Sequence, residues 1–472
     1  MIYDYIIIGG GPSGLTLALL LSKYNKKVAL IEKESFIGGC HSVRRVDGLF
    51  TEHGPRIYID NYHMFKKILL ELGTSFEQLF SPYKFGLNDF INSGIKNLTF
   101  REMTILAYLF ISLNETYKNI SLAECVNQYN FSDKAINYLD RLCRLTDGGG
   151  IENFTTFSFL QIINQNLGYK IYQPKKPHDV GLFKIWQEHL IKNGVDLFLN
   201  CEINNFITDE NNNITNIVVG QNNNIIAGNN YILAMPPYNI NQLITKFESL
   251  QNAFGDNFNS WSKITNYITY IPVVFHWNKK IKLEKIWGFP ETEWGIGHIV
   301  LSDYMDFEDN RSQTVISTLI SKYDLSKYLN KTPDQIEDKE VIINEVFRQL
   351  KTILINLPDY DYAIMSHNYY QNNKWNSINT AFMTTKYGYI NNKSKLINNL
   401  YNCGVHNGLS SYSFTSFESS VVNAIELFHQ LIPESKNDFK IKNIKTLRQS
   451  ISEILLIIVI IIIVIIVMCN RR

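Results

Sequence analysis

Residues 9–14, Gly9-Gly10-Gly11-Pro12-Ser13-Gly14, constrain this chain more than any other stretch. Tyr3-Asp4-Tyr5-Ile6-Ile7-Ile8 reads as a short, mostly apolar strand that runs straight into them. Leu15 to Lys23 reads as a helix, and Val28 to Ile31 as a second buried strand that ends at Glu32. The pattern is a βαβ unit with a glycine turn between its first strand and its helix. Gly9 permits the tight turn. Gly11, without a Cβ, lets the backbone approach a pyrophosphate. Gly14 lets the helix pack against the strand. With Ser13 in its first turn, the helix start offers free N–H groups and a positive dipole end to phosphates. Glu32, eighteen positions after Gly14, is placed to accept hydrogen bonds from ribose hydroxyls. An acid there repels a 2′-phosphate, which favours FAD or NAD over NADP. A glycine-rich turn in an ordinary α/β core is the bland alternative. The flanking strand and helix and the acid in place argue against it.

The next stretch separates FAD from NAD. After Glu32 come Lys33-Glu34-Ser35-Phe36-Ile37-Gly38-Gly39, and then Asp47-Gly48-Leu49-Phe50-Thr51-Glu52-His53-Gly54-Pro55-Arg56. Together these runs resemble the flavin amine oxidase, protoporphyrinogen oxidase and phytoene desaturase superfamily. The resemblance implies an FAD cofactor, with Lys33 beside the ribose acid and Gly38 and Gly39 close to the pyrophosphate and ribitol. Gly54, Pro55 and Arg56 would bring the chain to the isoalloxazine ring. Two later segments match as well. Ile203 falls where the superfamily contacts adenine through its backbone. Gly404 ends a strand, and the helix after it opens with Phe417 and Glu418; the resemblance places the backbone N–H of Phe417 at the flavin pyrimidine edge. Thr415 and Glu418 have capping-box spacing for that helix. Two positions depart from the pattern: Cys40 stands where an arginine is usual, and Val405 where an acid is usual. Arg44, Arg45 and Arg56 are the alternatives for the phosphate interaction that Cys40 cannot make. The His53-Gly54-Pro55-Arg56 run also looks like UDP-galactopyranose mutase, an FAD protein that performs a non-redox isomerisation.

The expected fold class is α/β: a Rossmann-type FAD-binding domain, an interleaved α+β substrate domain and a C-terminal transmembrane helix. Residues 1–88, 178–238 and 372–432 are assigned to the FAD-binding domain, and 89–177 and 239–371 to the substrate domain. Residues 433–450 are assigned as a linker and 451–469 as a tail anchor. The last assignment rests on Ile454 to Cys469, sixteen residues without a charge. As a helix this run is roughly 24 Å long against a hydrocarbon core of about 30 Å, and basic residues flank it. No signal peptide is read at the start, so the expected location is a membrane, with the catalytic part on the cytosolic side.

At 472 residues the chain exceeds one ordinary domain. A net charge of +1 argues against a nucleic-acid partner. Six cysteines lie without CxxC or metal spacing, so no metal is expected. The reading is an FAD-dependent oxidoreductase of the amine oxidase type. It would pass a hydride from an amine or a lipophilic cyclic substrate to flavin N5. Its partners are then a small-molecule substrate and, through the tail, a membrane. The alternatives are an isomerase like the mutase, and a membrane-anchored protein that keeps the fold without turnover. No residue is assigned as a general base, Lys386 and His298 included. Tyr267, Tyr270, His276, Trp287, Trp294 and His298 are pocket candidates.

Overall fold

A computed structural model describes residues 1–85, 87–284, 286–379, 382–384, 389–412, 415–455 and 457. The first strand, Ile2–Ile8, lies inside a seven-stranded sheet and is buried from Tyr5 onward. It runs parallel to Val28–Ile31 on one side and to Asn224–Leu233 on the other. Asp196–Phe198 extends the parallel array beyond Val28–Ile31, and Leu400–Asn402 joins beside Tyr231 to Leu233. Side chains alternate between the two faces, as a strand's period of two requires. Tyr5 and Ile7 enter a core built with the helices Pro12–Lys23, His63–Glu71, Leu182–Lys192 and Phe417–Leu431. Ile6 and Ile8 enter a second core with the meander strands and the helix Pro237–Lys246. Both faces are covered, which is why these strands read as continuous apolar runs.

Two strands differ from their expected form, the first in this sheet. In the sequence Ile225 to Ala227 reads as a short strand of a meander with Asn-rich turns, and Tyr231 to Ala234 as its final strand. The structure has a single strand, Asn224–Leu233. Its first part pairs antiparallel with Ile214–Val219, which pairs in turn with Ile203–Thr208. Gly228 sits against the first strand, where a Cβ would lie 2.7 Å from Ile6 Cδ1. Its N–H donates to the Tyr231 hydroxyl at 2.9 Å. Pairing with Ile2–Ile8 keeps extended a tripeptide whose local preference is to turn.

A four-stranded antiparallel sheet stands over this assembly, in the order Ile296–Val300, Thr314–Ile320, Ile271–Trp277, Tyr362–Ile364. The helix Lys339–Ile353 packs on one of its faces. On the other, Val274, Ile299 and Val315 meet Val43 and Phe50 from the hairpin Val43–Val46 and Leu49–Glu52. The helices Phe100–Ser112, Leu122–Gln128, Asp133–Asp147 and Thr156–Asn166 share a further core. The expected strand from Tyr267 to Trp277 is two strands, because Asn266–Ile268 pairs with Phe382–Thr384 instead. Pro272 faces Leu319 on one side, and pairing on its other side begins only at Val274. The proline therefore sits where its missing N–H breaks no ladder.

The expected transmembrane helix is not supported. Among the described residues no helix is long and apolar enough to cross a membrane. Residues 447–455 are helical and carry Glu453; residue 456 and residues 458–472 lie outside the described residues. The Arg448 backbone N–H donates to Asn164 Oδ1 and its guanidinium to the Ile111 carbonyl, each at 3.0 Å, tying this stretch to the helical core. The membrane partner and the membrane location expected from the tail fall with it. Phe439 and Ile444, within the expected linker, are buried in the same core as the first helix.

Candidate functional site

The glycine turn folds as its composition requires. Gly9 has φ +117°, and a Cβ there would lie 2.3 Å from the Ala234 carbonyl oxygen. A Cβ at Gly14 would lie 2.0 Å from the Gly9 carbonyl oxygen, so helix and strand meet through bare backbone. The helix Pro12–Lys23 starts after Gly11 with no side-chain cap, leaving its first-turn N–H groups for another acceptor. The Ser13 hydroxyl donates to the Ser420 carbonyl at 3.1 Å and ties this helix start to that of Phe417–Leu431.

These elements border a cavity of about 420 Å³. Of the residues singled out in the sequence, Gly9, Gly11, Ser13, Glu32, Lys33, Gly39, Ile203 and Gly404 line it. They come from three segments far apart in the chain. Glu32 is buried; Oε2 accepts from the Gly10 N–H at 2.8 Å and Oε1 from the Glu34 N–H at 3.0 Å. Burial pushes its carboxyl up, and the two N–H groups pull it back. Gly39 faces Gly11 across the cavity edge, and a Cβ there would lie 3.1 Å from Gly11 Cα. The two departures, Cys40 and Val405, line the same cavity. So do residues that carried no sequence signal: Asn379, His406 and one face of Pro237–Lys246, formed by Asn239, Gln242, Leu243 and Lys246. An uncapped helix start, a buried acid and two glycine loops too close for side chains are what a dinucleotide's pyrophosphate and ribose require.

The remaining candidates stand behind the cavity wall. Gly14 packs on Gly9. Gly38, at φ +118°, lies against the Phe183 ring, 2.4 Å from where a Cβ would be. Gly54 packs beneath Leu319 and Tyr270 of the upper sheet region, and Pro55 follows it. Arg56 is buried, and its guanidinium donates to the Cys40 carbonyl at 2.6 Å. The other two arginines are engaged elsewhere: Arg44 pairs with Glu34 at 3.0 Å and Arg45 with Asp179 at 2.5 Å. Phe417 is buried among aromatic rings, 4.3 Å from Phe65 and 4.9 Å from His41.

The expected cap of the last helix is corrected. Ser416, not Thr415, is the N-cap, and Ser419 completes the box. Glu418 turns away from its own helix. It accepts the N–H groups of Met64 and Phe65, each at 2.8 Å, at the start of His63–Glu71. Glu418 is almost fully buried, and burial pushes its carboxyl up to about 7 against the pull of those N–H groups.

Beside Arg56 lies a buried polar cluster that the sequence did not signal, because its members come from distant segments. His41 Nδ1 meets the Tyr58 hydroxyl at 3.1 Å, and that hydroxyl meets His178 Nε2 at 2.7 Å. Glu52, His53 and His367 stand on the other side. Burial, then the Arg56 charge, holds His178 down to about 3. Burial, then the Arg44 charge, does the same to His367. Both imidazoles are neutral at physiological pH. Among the described residues no group of three His, Cys, Asp or Glu side chains is placed to hold a metal.

Of the pocket candidates, Tyr267 lines the cavity. Tyr270 lies against Gly54 and donates to the Arg144 carbonyl at 2.7 Å. His276 is held by Ser312 and the Phe50 carbonyl, and Trp294 fills the upper core. Trp287 packs on the helical core. His298 is buried, with Nδ1 unpartnered. Lys386 lies outside the described residues.

Comparison with known proteins bears on the fold. Residues 7–72 match the NAD(P)-binding Rossmann-like domain family. UDP-galactopyranose mutase of Mycoplasma genitalium is 41% identical over 64 residues, a match covering 12% of this chain and 15% of that enzyme. Among solved structures, an oxidoreductase from Methanosarcina mazei superposes with a TM-score of 0.63 at 15% identity, over 90% of this chain and 99% of that one. Putrescine oxidase superposes with a TM-score of 0.60 at 12% identity, over 92% and 99%. The chain therefore carries a Rossmann-like domain over residues 7–72 and, over most of its length, the fold of these solved structures.

Proposed function

We propose that this protein is an FAD-dependent oxidoreductase of the amine oxidase type that acts on a small molecule. One observation carries the reading: three segments distant in sequence, at Gly9–Ser13, Ile203 and Gly404, converge on one cavity beside an uncapped helix start. The glycine loops would admit the pyrophosphate, Glu32 would hold the ribose, and the backbone at Ile203 would hold adenine. Arg56 holds the Cys40 loop in place. With FAD bound, the start of Phe417–Leu431 would present its positive dipole end to the flavin and favour negative charge there. FAD supplies the acceptor for a hydride from a carbon next to nitrogen or in a cyclic frame, while the chain supplies placement and electrostatics.

The visible spectrum of the purified full chain tests this, first alone and then anaerobically with putrescine, benzylamine and a porphyrinogen. Yellow protein bleached by one of these supports the reading and names the substrate class. A folded, colourless protein that takes up no FAD refutes it.

The identity to UDP-galactopyranose mutase over 64 residues favours a second reading, a non-redox isomerase. It predicts turnover only after chemical reduction of the flavin, with no oxygen consumed.

A further inference from the structure

Most buried polar atoms in folded proteins have a hydrogen-bond partner, and each one left without costs free energy. Behind Gly54, several such atoms gather. Thr51, Glu52, Ser317 and His367 are only 1, 7, 0 and 1% exposed. Thr51 Oγ1, Glu52 Oε1, Ser317 Oγ and both ring nitrogens of His367 have no partner in strict hydrogen-bonding geometry, although Ser317 lies close enough to Glu52, and the Thr51 backbone to His367, to act on their protonation. They come from three places: the strand Leu49–Glu52, the strand Thr314–Ile320 and the stretch before Asn368–Gln371. Ser317 and Arg56 both act on Glu52, and His367 lies 6.1 Å from the His53 ring. The cluster is one residue layer from the cavity. His53 Nε2 meets the Asn379 carbonyl at 3.1 Å and Arg56 holds the Cys40 carbonyl, and both Asn379 and Cys40 line the cavity.

Such a group has hydrogen-bonding capacity that its own members use only in part. Its chemistry is acceptor-rich: a carboxyl, two hydroxyls and a neutral imidazole. We propose that Glu52, Ser317 and His367 form a polar pocket beside the dinucleotide cavity that seats the N–H- or O–H-bearing end of a small substrate, with Glu52 as the acceptor. The inference rests on the oxidoreductase reading and names the residues that hold the polar end of its substrate. For an ammonium substrate the step balances simply. The proton passes from nitrogen to the Glu52 carboxylate, leaving a neutral amine with its lone pair and a neutral carboxyl. Hydride loss from the adjacent carbon needs that lone pair.

The surroundings suit this exchange. Burial pushes the Glu52 carboxyl up to about 7, with Ser317 and Arg56 pulling it down. The other charged or titratable groups around it include His53, next in the chain and held neutral by burial and the Arg56 charge, Tyr58 on the same segment, Arg44 across the hairpin, His276 and His298 on the overlying sheet, and His367. Burial holds His276, His298 and His367 neutral, so near neutral pH Glu52 is the group that changes charge.

The test uses the full chain with its FAD, as wild type and as Glu52→Gln, Glu52→Asp and Ser317→Ala. Each is titrated with n-butylamine, the ammonium probe, and with galactose, the hydroxyl probe, and the shift of the visible flavin band is read. In the wild type at least one probe binds, and binding strengthens as pH rises through about 7. Glu52→Gln keeps the side chain's volume, so FAD stays bound while probe affinity falls about tenfold and loses its pH dependence. Glu52→Asp restores the pH dependence, and Ser317→Ala weakens binding by about threefold. The proposal is overturned if neither probe perturbs the wild type, or if Glu52→Gln binds with unchanged affinity and pH profile. A wild type that holds no FAD overturns the oxidoreductase reading itself, an outcome visible before any probe is added.

Discussion

Glu418 sets two electrostatic effects against each other, and its removal shows which prevails. The carboxylate accepts two backbone N–H groups at a helix start, which favours charge. It is also almost fully buried, which disfavours charge, and burial wins: the group rises from 4.5 to about 7. A folded-state value above the unfolded one means that the native protein holds this proton more tightly. Native stability therefore falls as pH rises from about 4.5 to about 7, and is flat beyond. At 1.36 kcal/mol per pH unit, the window costs about 3 kcal/mol. That is a large share of the roughly 5–15 kcal/mol that holds a domain folded. Glu418→Gln resembles the protonated acid, keeps one acceptor and does not titrate. Urea unfolding of both proteins, followed by tryptophan fluorescence across this range, should give similar stabilities at the acid end. The wild type should then lose about 3 kcal/mol relative to the variant by the neutral end. If the wild type instead gains on the variant as pH rises, the N–H groups and the helix dipole outweigh burial, and the reasoning fails.

Gly14→Ala would press a methyl group onto the Gly9 carbonyl oxygen, which as backbone has no room to yield. A loss of about 3 kcal/mol and of FAD retention is expected, read by urea unfolding and flavin absorbance. Glu345 is buried and accepts from Ser326, Arg348 and Gln349 at 2.6–2.8 Å. Glu345→Ala orphans these donors and should cost about 3 kcal/mol in calorimetry at neutral pH. Burial raises this carboxyl, but its hydrogen bonds lower it more, so the wild-type advantage is full above 4.5 and fades as pH falls through the lowered value. Tyr58→Phe removes the hydroxyl between His41 and His178. It should cost about 1 kcal/mol and change the imidazole tautomers seen by nitrogen NMR.

The elements around the glycine turn were legible because their causes are local. A strand of apolar residues, a turn that only glycine can make and a helix without a cap are specified within a few dozen consecutive residues. Glu32 was legible for the same reason. The continuity of Asn224–Leu233 was not legible, because Gly228-Asn229-Asn230 prefers locally to turn and pairing with Ile2–Ile8 overrides it. Glu418 was misread because capping-box spacing is a local signal, whereas its partners Met64 and Phe65 are more than 350 positions away. The apolar C-terminal run suggests a membrane role through its length, its lack of charge and its basic flanks, all local signals, and among the described residues no spanning helix supports it.

Sequence alone determined the dinucleotide turn, the acid after the second strand and the order of the main elements, since each follows from backbone sterics and hydrophobic period. Tertiary structure alone decided which arginine reaches the Cys40 loop, where Glu418 spends its charge, and that Glu52, Ser317 and His367 meet. Those outcomes depend on desolvation and on contacts between segments hundreds of residues apart, and neither is written in any local stretch of the chain.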